Sequence, residues 1–159
     1  MLEIKIIAVG IMKEQYFRDA CAEYQKRLGA FGKVSVVELK EAKLPDDPSK
    51  SQIDAALADE AERVRSVIPP KAYVVALCVE GKSFSSPELA SKLEDATRDH
   101  PAVCFIIGSS YGLSDSIKKS ADLRLSLSEL TFPHRLFRVM LLETVYRSFT
   151  IIKGTKYHK

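Results

Sequence analysis

Apolar positions recur along this chain in two rhythms, one of strands and one of helices. Residues 2–9 are rich in isoleucine and scarcely alternate, as in a strand covered on both faces, and Gly10 ends the run. Over 14–28 the period changes: Tyr16, Phe17, Ala20, Cys21, Tyr24 and Leu28 fall at helical spacing, with Gly29 placed as a C-cap. A second strand is predicted over 34–39, followed by a polar, proline-containing and mobile connection over 41–48. Ser49 can cap a helix to about Val67, on which Ile53, Ala56, Leu57, Ala61, Val64 and Ile68 follow the helical period, and Pro69 and Pro70 stop it. The continuous apolar run 73–79 predicts a central strand. Gly81 turns the chain, and Ser86, followed by Pro87 at the first helical position, predicts the cap of a helix reaching about Arg98. A buried strand over 103–107, a glycine-bounded turn over 108–112, a short helix, a strand over 122–127 and a long apolar helix over 134–149 complete the pattern. Strands and helices alternating in this way predict an α/β fold, an open parallel sheet with helices on both faces.

A chain of 159 residues buries about 70% of its unfolded surface. With no internal repeat or low-complexity segment, one domain is expected over 1–159. No apolar run approaches the roughly 20 residues of a membrane helix. The apolar start is interrupted by Glu3 and Lys5 and lacks a small-residue cleavage site, so it reads as a strand and not a leader; a cytoplasmic protein is expected. Cys21, Cys78 and Cys104 show no paired spacing and read as buried thiols, with neither metal nor disulfide indicated. Charge is unevenly spread: residues 41–62 carry a net −5 and residues 134–159 a net +5. A basic end suits a polyanion such as RNA, although charge runs also occur simply as solvated faces.

Two strand exits close together in sequence make a place for a small polar ligand at the carboxyl edge of a parallel sheet. After residue 107 the chain reads Gly108-Ser109-Ser110-Tyr111-Gly112, with Ser114 able to cap the next helix. The glycines allow positive φ or close approach of a ligand, or they form a plain strand-to-helix turn; the third glycine of a dinucleotide fingerprint and the lysine of a phosphate loop are absent. Residues 127–133 either make an ordinary helix entry at Pro133 or leave amides and carbonyls free for a partner such as an adenine edge. The helix over 134–149 is apolar nearly all round, and one sheet covers one side of it, so a second subunit is expected on the other. Arg135, Arg138, Glu143 and Arg147 are its polar exceptions; Glu143 and Arg147 are also an i,i+4 pair. The tail Ile151 to Lys159 mixes an aromatic, an imidazole and three lysines, which suits either fraying or stacking on a base while holding phosphates.

Several blocks carry a resemblance that runs essentially end to end: Val9-Gly10; Lys13-Glu14 with Tyr24-Gln25-Lys26-Arg27-Leu28; Gly81-Lys82; Ile107-Gly108 with Gly112-Leu113; Thr131-Phe132-Pro133-His134 with Arg138-Val139; Glu143 with Tyr146-Arg147; and Gly154 with Tyr157-His158-Lys159. Together they resemble the RlmH-type family of the SPOUT superfamily, methyltransferases that use S-adenosylmethionine to modify N3 of a pseudouridine in 23S rRNA of the large ribosomal subunit. The resemblance implies a homodimer and a deep trefoil knot made by threading the carboxyl-terminal part through a loop. It implies a cofactor pocket at Leu77, Gly108, Leu127, Ser128, Glu129, Leu130, Thr131 and Phe132. Family members usually carry a second glycine where this chain has Ser109.

The sulfonium methyl is already activated, so such an enzyme has mainly to align the base nitrogen, exclude water and remove the imide proton. Arg138 and Arg147 are candidates to hold phosphate or a developing anion. Tyr157 and His158 of one subunit are candidates to close over the base in the other's pocket, with His158 as proton acceptor. The rival functions are a knotted methyltransferase for another rRNA or tRNA nucleoside and a non-catalytic ribosome-associated RNA-binding factor.

Overall fold

The computed structural model describes residues 1–158. Its elements are β1 (Glu3–Val9), α1 (Gln15–Leu28), β2 (Lys33–Leu39), α2 (Lys50–Val67), β3 (Tyr73–Lys82), α3 (Ser86–Asp99), β4 (Ala102–Ile107), α4 (Asp115–Ser120), β5 (Leu123–Leu125) and α5 (His134–Ile152). The strands form one sheet in the order β2-β1-β4-β3-β5, and every neighbouring pair is parallel. All six residues of β4 are buried. Its alternate side chains serve two cores: Val103, Phe105 and Ile107 pack toward α1, α3 and α5, while Cys104 and Ile106 pack toward α2 and α4. Removing a side chain such as Phe105 from water contributes about 1.5–3 kcal/mol, so the continuous apolar runs demand cover on both faces.

Local chemistry explains most of the boundaries and several departures from the expected pattern. Ser49 caps α2 with Gln52 in a reciprocal capping box. In α3 the box is formed by Ser85 and Glu88, one residue before the expected Ser86, because Glu88 then stands three residues on and returns a bond to the Ser85 N–H. Gly29 does close α1 but keeps a right-handed φ of −57°, so it is not the left-handed cap that glycine usually supplies. Strand β5 is only three residues long, against the six expected. It is short because its partner bulges: the register passes from Leu77↔Leu125 to Lys82↔Leu125, throwing out residues 78–81. Gly81 lies so close to β5 that an added Cβ would stand 2.7 Å from the Leu125 carbonyl carbon.

Helix α5 has more cover than a sheet alone provides, since α1 and α3 pack along its flanks. Leu141, Leu142, Val145 and Phe149 enter the core. Ser148 and Thr150 are tolerated inside because their hydroxyls donate to the Thr144 and Arg147 carbonyls of their own helix. Leu136 remains 38% exposed.

The displaced cap is directly testable. Ser85→Ala is expected to lower the unfolding free energy by about 1 kcal/mol and Ser86→Ala by less than about 0.5 kcal/mol in urea denaturation; the reverse ranking would return the cap to Ser86.

Candidate active site

The loops that leave β3, β4 and β5 converge at the carboxyl edge of the sheet around a cleft of ≈ 530 Å³, within the range of small-molecule sites. Its β4 loop is folded tightly on itself. Gly112 takes φ +82° and donates its N–H to the Ser109 carbonyl at 2.8 Å. A Cβ on Gly108 would lie 2.4 Å from the Gly112 backbone, so only glycine fits there. Ser109 is not in the positive-φ region, and a glycine at this position is not needed for the backbone path. The His134 ring, at the start of α5, bonds through Nε2 to the Gly108 carbonyl. A carbonyl only accepts, so that nitrogen carries the proton.

The β5 loop supplies free backbone donors. Ser126 Oγ donates to the Ser128 carbonyl at 3.1 Å, and the Leu130 N–H donates to Ser128 Oγ at 3.0 Å. The amides of Leu127, Thr131 and Phe132 find no protein acceptor among the described residues. Lys118 and Glu80 form an ion pair of 2.5 Å at the cleft, and the hydrogen bond from Lys118 holds the Glu80 carboxyl below its usual range. These charges cancel, leaving a lining of apolar side chains, hydroxyls and backbone.

Of the expected cofactor residues, Leu77, Gly108, Leu127, Ser128, Leu130, Thr131 and Phe132 line this cleft, whereas Glu129 is exposed outside the lining. Cys78, expected in the core, is half-buried in the bulge of β3 and faces the cleft, with burial pushing its thiol pKa up. Sequence reasoning also missed Glu80, Tyr111, Lys118 and Phe137 as lining residues. Glu80 had one available signal, its place beside a glycine at a strand exit.

The four expected catalytic side chains lie elsewhere. Arg138 is buried, 2.6 Å from Glu38 Oε2 and 3.2 Å from the Gly10 carbonyl, so it ties α5 to the ends of β2 and β1. Burial pushes Glu38 up, but hydrogen bonds from Arg138 and the Met12 N–H outweigh it and hold the carboxyl below its ordinary range. Arg147, Tyr157 and His158 gather around Glu143. Arg147 contacts Glu143 Oε1 at 2.7 and 2.9 Å, Tyr157 donates to Oε2 at 2.8 Å, and the guanidinium lies 4.8 Å from the Tyr157 ring centroid. His158 Nδ1 lies 3.3 Å from Arg147 Nη1; arginine only donates, so this nitrogen accepts. Burial and then the Glu143 carboxylate push Tyr24, which packs nearby, up to about 12. Ten steps of helix lead from Phe137, which lines the cleft, to Arg147, a rise of about 15 Å, so this cluster stands away from the cleft of its own chain. Lys159 lies outside the described residues.

The family model described as "Predicted SPOUT methyltransferase" matches residues 2–158. The chain is 45% identical over 159 residues to the ribosomal RNA large subunit methyltransferase H of Streptococcus thermophilus, spanning 99% of this chain and 100% of the relative. The protein of that name in Bacillus pumilus is likewise 45% identical, and that of Lactobacillus acidophilus 43%, with the same coverage. Among solved structures, a probable methylase family protein from Haemophilus influenzae Rd KW20 superimposes with a TM-score of 0.54 at 14% identity, over 100% of this chain and 72% of that one. At that identity the likeness is one of fold.

The Glu38–Arg138 pair has a pH signature. A carboxyl depressed in the folded state contributes stability that is present above its unfolded value, about 4.3, and lost as pH falls through the folded value. Glu38→Gln is expected to destabilise the protein at pH 7, with the deficit shrinking as pH falls from about 5 to about 3; a deficit independent of pH would mean that ionisation of Glu38 is not what matters.

Proposed function

The chain belongs to the SPOUT methyltransferase family, and from that premise we propose that it methylates N3 of a pseudouridine in 23S rRNA of the large ribosomal subunit, on the assembled ribosome, with S-adenosylmethionine as donor. The observation that carries this proposal is the cleft itself, which gathers seven of the eight residues that the family resemblance assigns to the cofactor. The residues present fit that group. The β5 loop offers unpaired amides to an adenine edge, and the lining has no net charge from Lys118 and Glu80.

S-adenosylmethionine supplies a methyl group already activated on a sulfonium, so the protein provides no nucleophile. The Leu127, Thr131 and Phe132 amides would hold the cofactor's adenine edge while Leu77, Leu127 and Phe132 would exclude water, which strengthens each polar contact. Alignment of the target nitrogen supplies the larger part of the rate. Arg138 and Arg147 are both paired with carboxylates, but Arg138 is buried while Arg147 keeps 32% of its side-chain surface in water, so the task of holding phosphate or a developing oxyanion falls to Arg147. His158 Nδ1 faces Arg147 at 3.3 Å, and to take the imide proton the ring would exchange that contact for the target base.

Arg147, Tyr157 and His158 are too far from their own cleft to serve it, which supports a homodimer in which each tail completes the partner's site. The basic carboxyl-terminal region then lies beside bound RNA. The proposal extends to a deep trefoil knot, made by threading the carboxyl-terminal part through a loop, and to a single methyltransferase domain over 1–159. No helix of the described residues is long and apolar enough to cross a membrane, in keeping with action in the cytoplasm, where the ribosomes are.

Labelled S-adenosylmethionine, offered with 70S ribosomes or free rRNA from cells lacking this protein, is expected to label N3 of a pseudouridine on ribosomes, identified by mass spectrometry. Label on another nucleoside would redirect the enzyme to a different target, and failure to bind the cofactor would leave a non-catalytic RNA-binding factor. Completion of the site by the partner predicts that chains lacking residues 157–159 bind the cofactor normally but lose at least about 100-fold in kcat. Mixing them with Gly108→Ala chains, which keep the tail but lose the cleft, is expected to restore activity; no restoration would place the tail's action within one chain.

A further inference from the structure

Glu60 of α2 is a buried carboxylate, 6% exposed, with no cation paired to it among the described residues. Its neighbour Arg63 instead pairs with Asp59 and donates to the Lys40 carbonyl. A carboxylate taken out of water without a counter-ion is costly unless its oxygens are satisfied by donors. Here each oxygen has one. Glu60 Oε1 accepts from Ser109 Oγ at 2.8 Å, and Oε2 accepts from the Ala42 N–H at 2.8 Å. The first donor belongs to the β4 turn, between Gly108 and Ser110, which line the cleft. The second belongs to the connection between β2 and α2. Ser109 is also part of the wall between the cleft and a smaller cavity of ≈ 230 Å³ that Glu60 lines from behind.

Glu60 therefore braces the turn from the side opposite the cleft. The small side chains Ala56 and Ala61 on the same helix are buried with it and admit the close approach. Resting on the assignment of this cleft to S-adenosylmethionine, we infer that Glu60 is a positioning residue for the cofactor turn, acting through the Ser109 hydroxyl. The turn's own backbone bond, Gly112 N–H to Ser109 O, closes the loop, and His134 ties its Gly108 carbonyl to α5, but neither fixes Ser109 on the α2 side. The carboxylate anchors it to α2, so that the Gly108 backbone is held at the distance the cofactor needs before binding rather than being ordered by it. Its effect is accordingly on cofactor binding, with the transfer step unchanged once the site is full.

The test uses the full chain with calorimetric binding of S-adenosylmethionine and steady-state transfer to ribosomes. Ser109→Ala, which removes only the hydroxyl, and Glu60→Ala are each expected to raise Kd and KM for the cofactor about 10-fold while kcat stays within about 2-fold. The double variant should be no worse than Glu60→Ala alone, since both remove one contact. Glu60→Gln keeps one oxygen for the Ala42 N–H, and its amide can donate to the Ser109 hydroxyl, so it should recover most of the affinity, whereas Glu60→Met, of similar size without either polar contact, should not. If Glu60→Ala fails to fold, Ser109→Ala decides alone. Wild-type affinity in a folded Ser109→Ala chain would overturn the inference while leaving the cleft's assignment intact; absence of binding by the wild-type chain would overturn both.

Discussion

The burial of β4 between two cores is the constraint on which the rest depends. A strand with all six side chains covered must lie inside a sheet with helices above and below, and parallel neighbours then bring β1, β3 and β4 to the same edge as they end. Helices fill the faces, so that edge is where loops can meet around a ligand. The cleft is a consequence of strand order: β3 and β4 are adjacent, β5 lies just beyond β3, and three loops converge there without any element built solely to form a pocket.

Two carboxylates, one partly in water and one buried, hold this edge in place by different chemistry. Glu38 is matched by a cation, Arg138, and the pair pins α5 to the ends of β1 and β2. Glu60 has neutral donors and pins the β4 turn to α2. A guanidinium pair tolerates partial exposure, and Glu38 keeps 30% of its side-chain surface in water. Two neutral donors suffice for Glu60 because it uses both oxygens. The edge is thus held from both faces of the sheet.

Element order, parallel topology and the turn at Gly108 were legible in the sequence because they follow from periodicity and from glycine. The residues assigned to the cofactor came from family resemblance and not from periodicity, and seven of those eight line the cleft. What stayed hidden depends on partners distant along the chain. The bulge of β3 uses Cys78 and Val79, residue types that also extend a strand, so nothing local marks where the ladder breaks; Val79 is 56% exposed. Arg138 looked free for chemistry because its partner Glu38 lies 100 residues earlier. Glu129 shares a short loop with true lining residues, and sequence spacing does not tell which of them turns outward. The one-residue shift of the α3 cap arose because two serines precede Pro87 and only the first stands three before Glu88.

Helix α5 fills the main core with Leu141, Leu142, Val145 and Phe149, yet it follows every strand in chain order. The β1 and α1 residues that share this core with Phe149 lie more than a hundred residues earlier, so the core closes through contacts distant in sequence, and loop-closure entropy must be met before they form. A partly folded chain in which the sheet has formed and α5 has not yet docked exposes the apolar face of β1, β3 and β4, and such a surface is where association with another chain competes with folding.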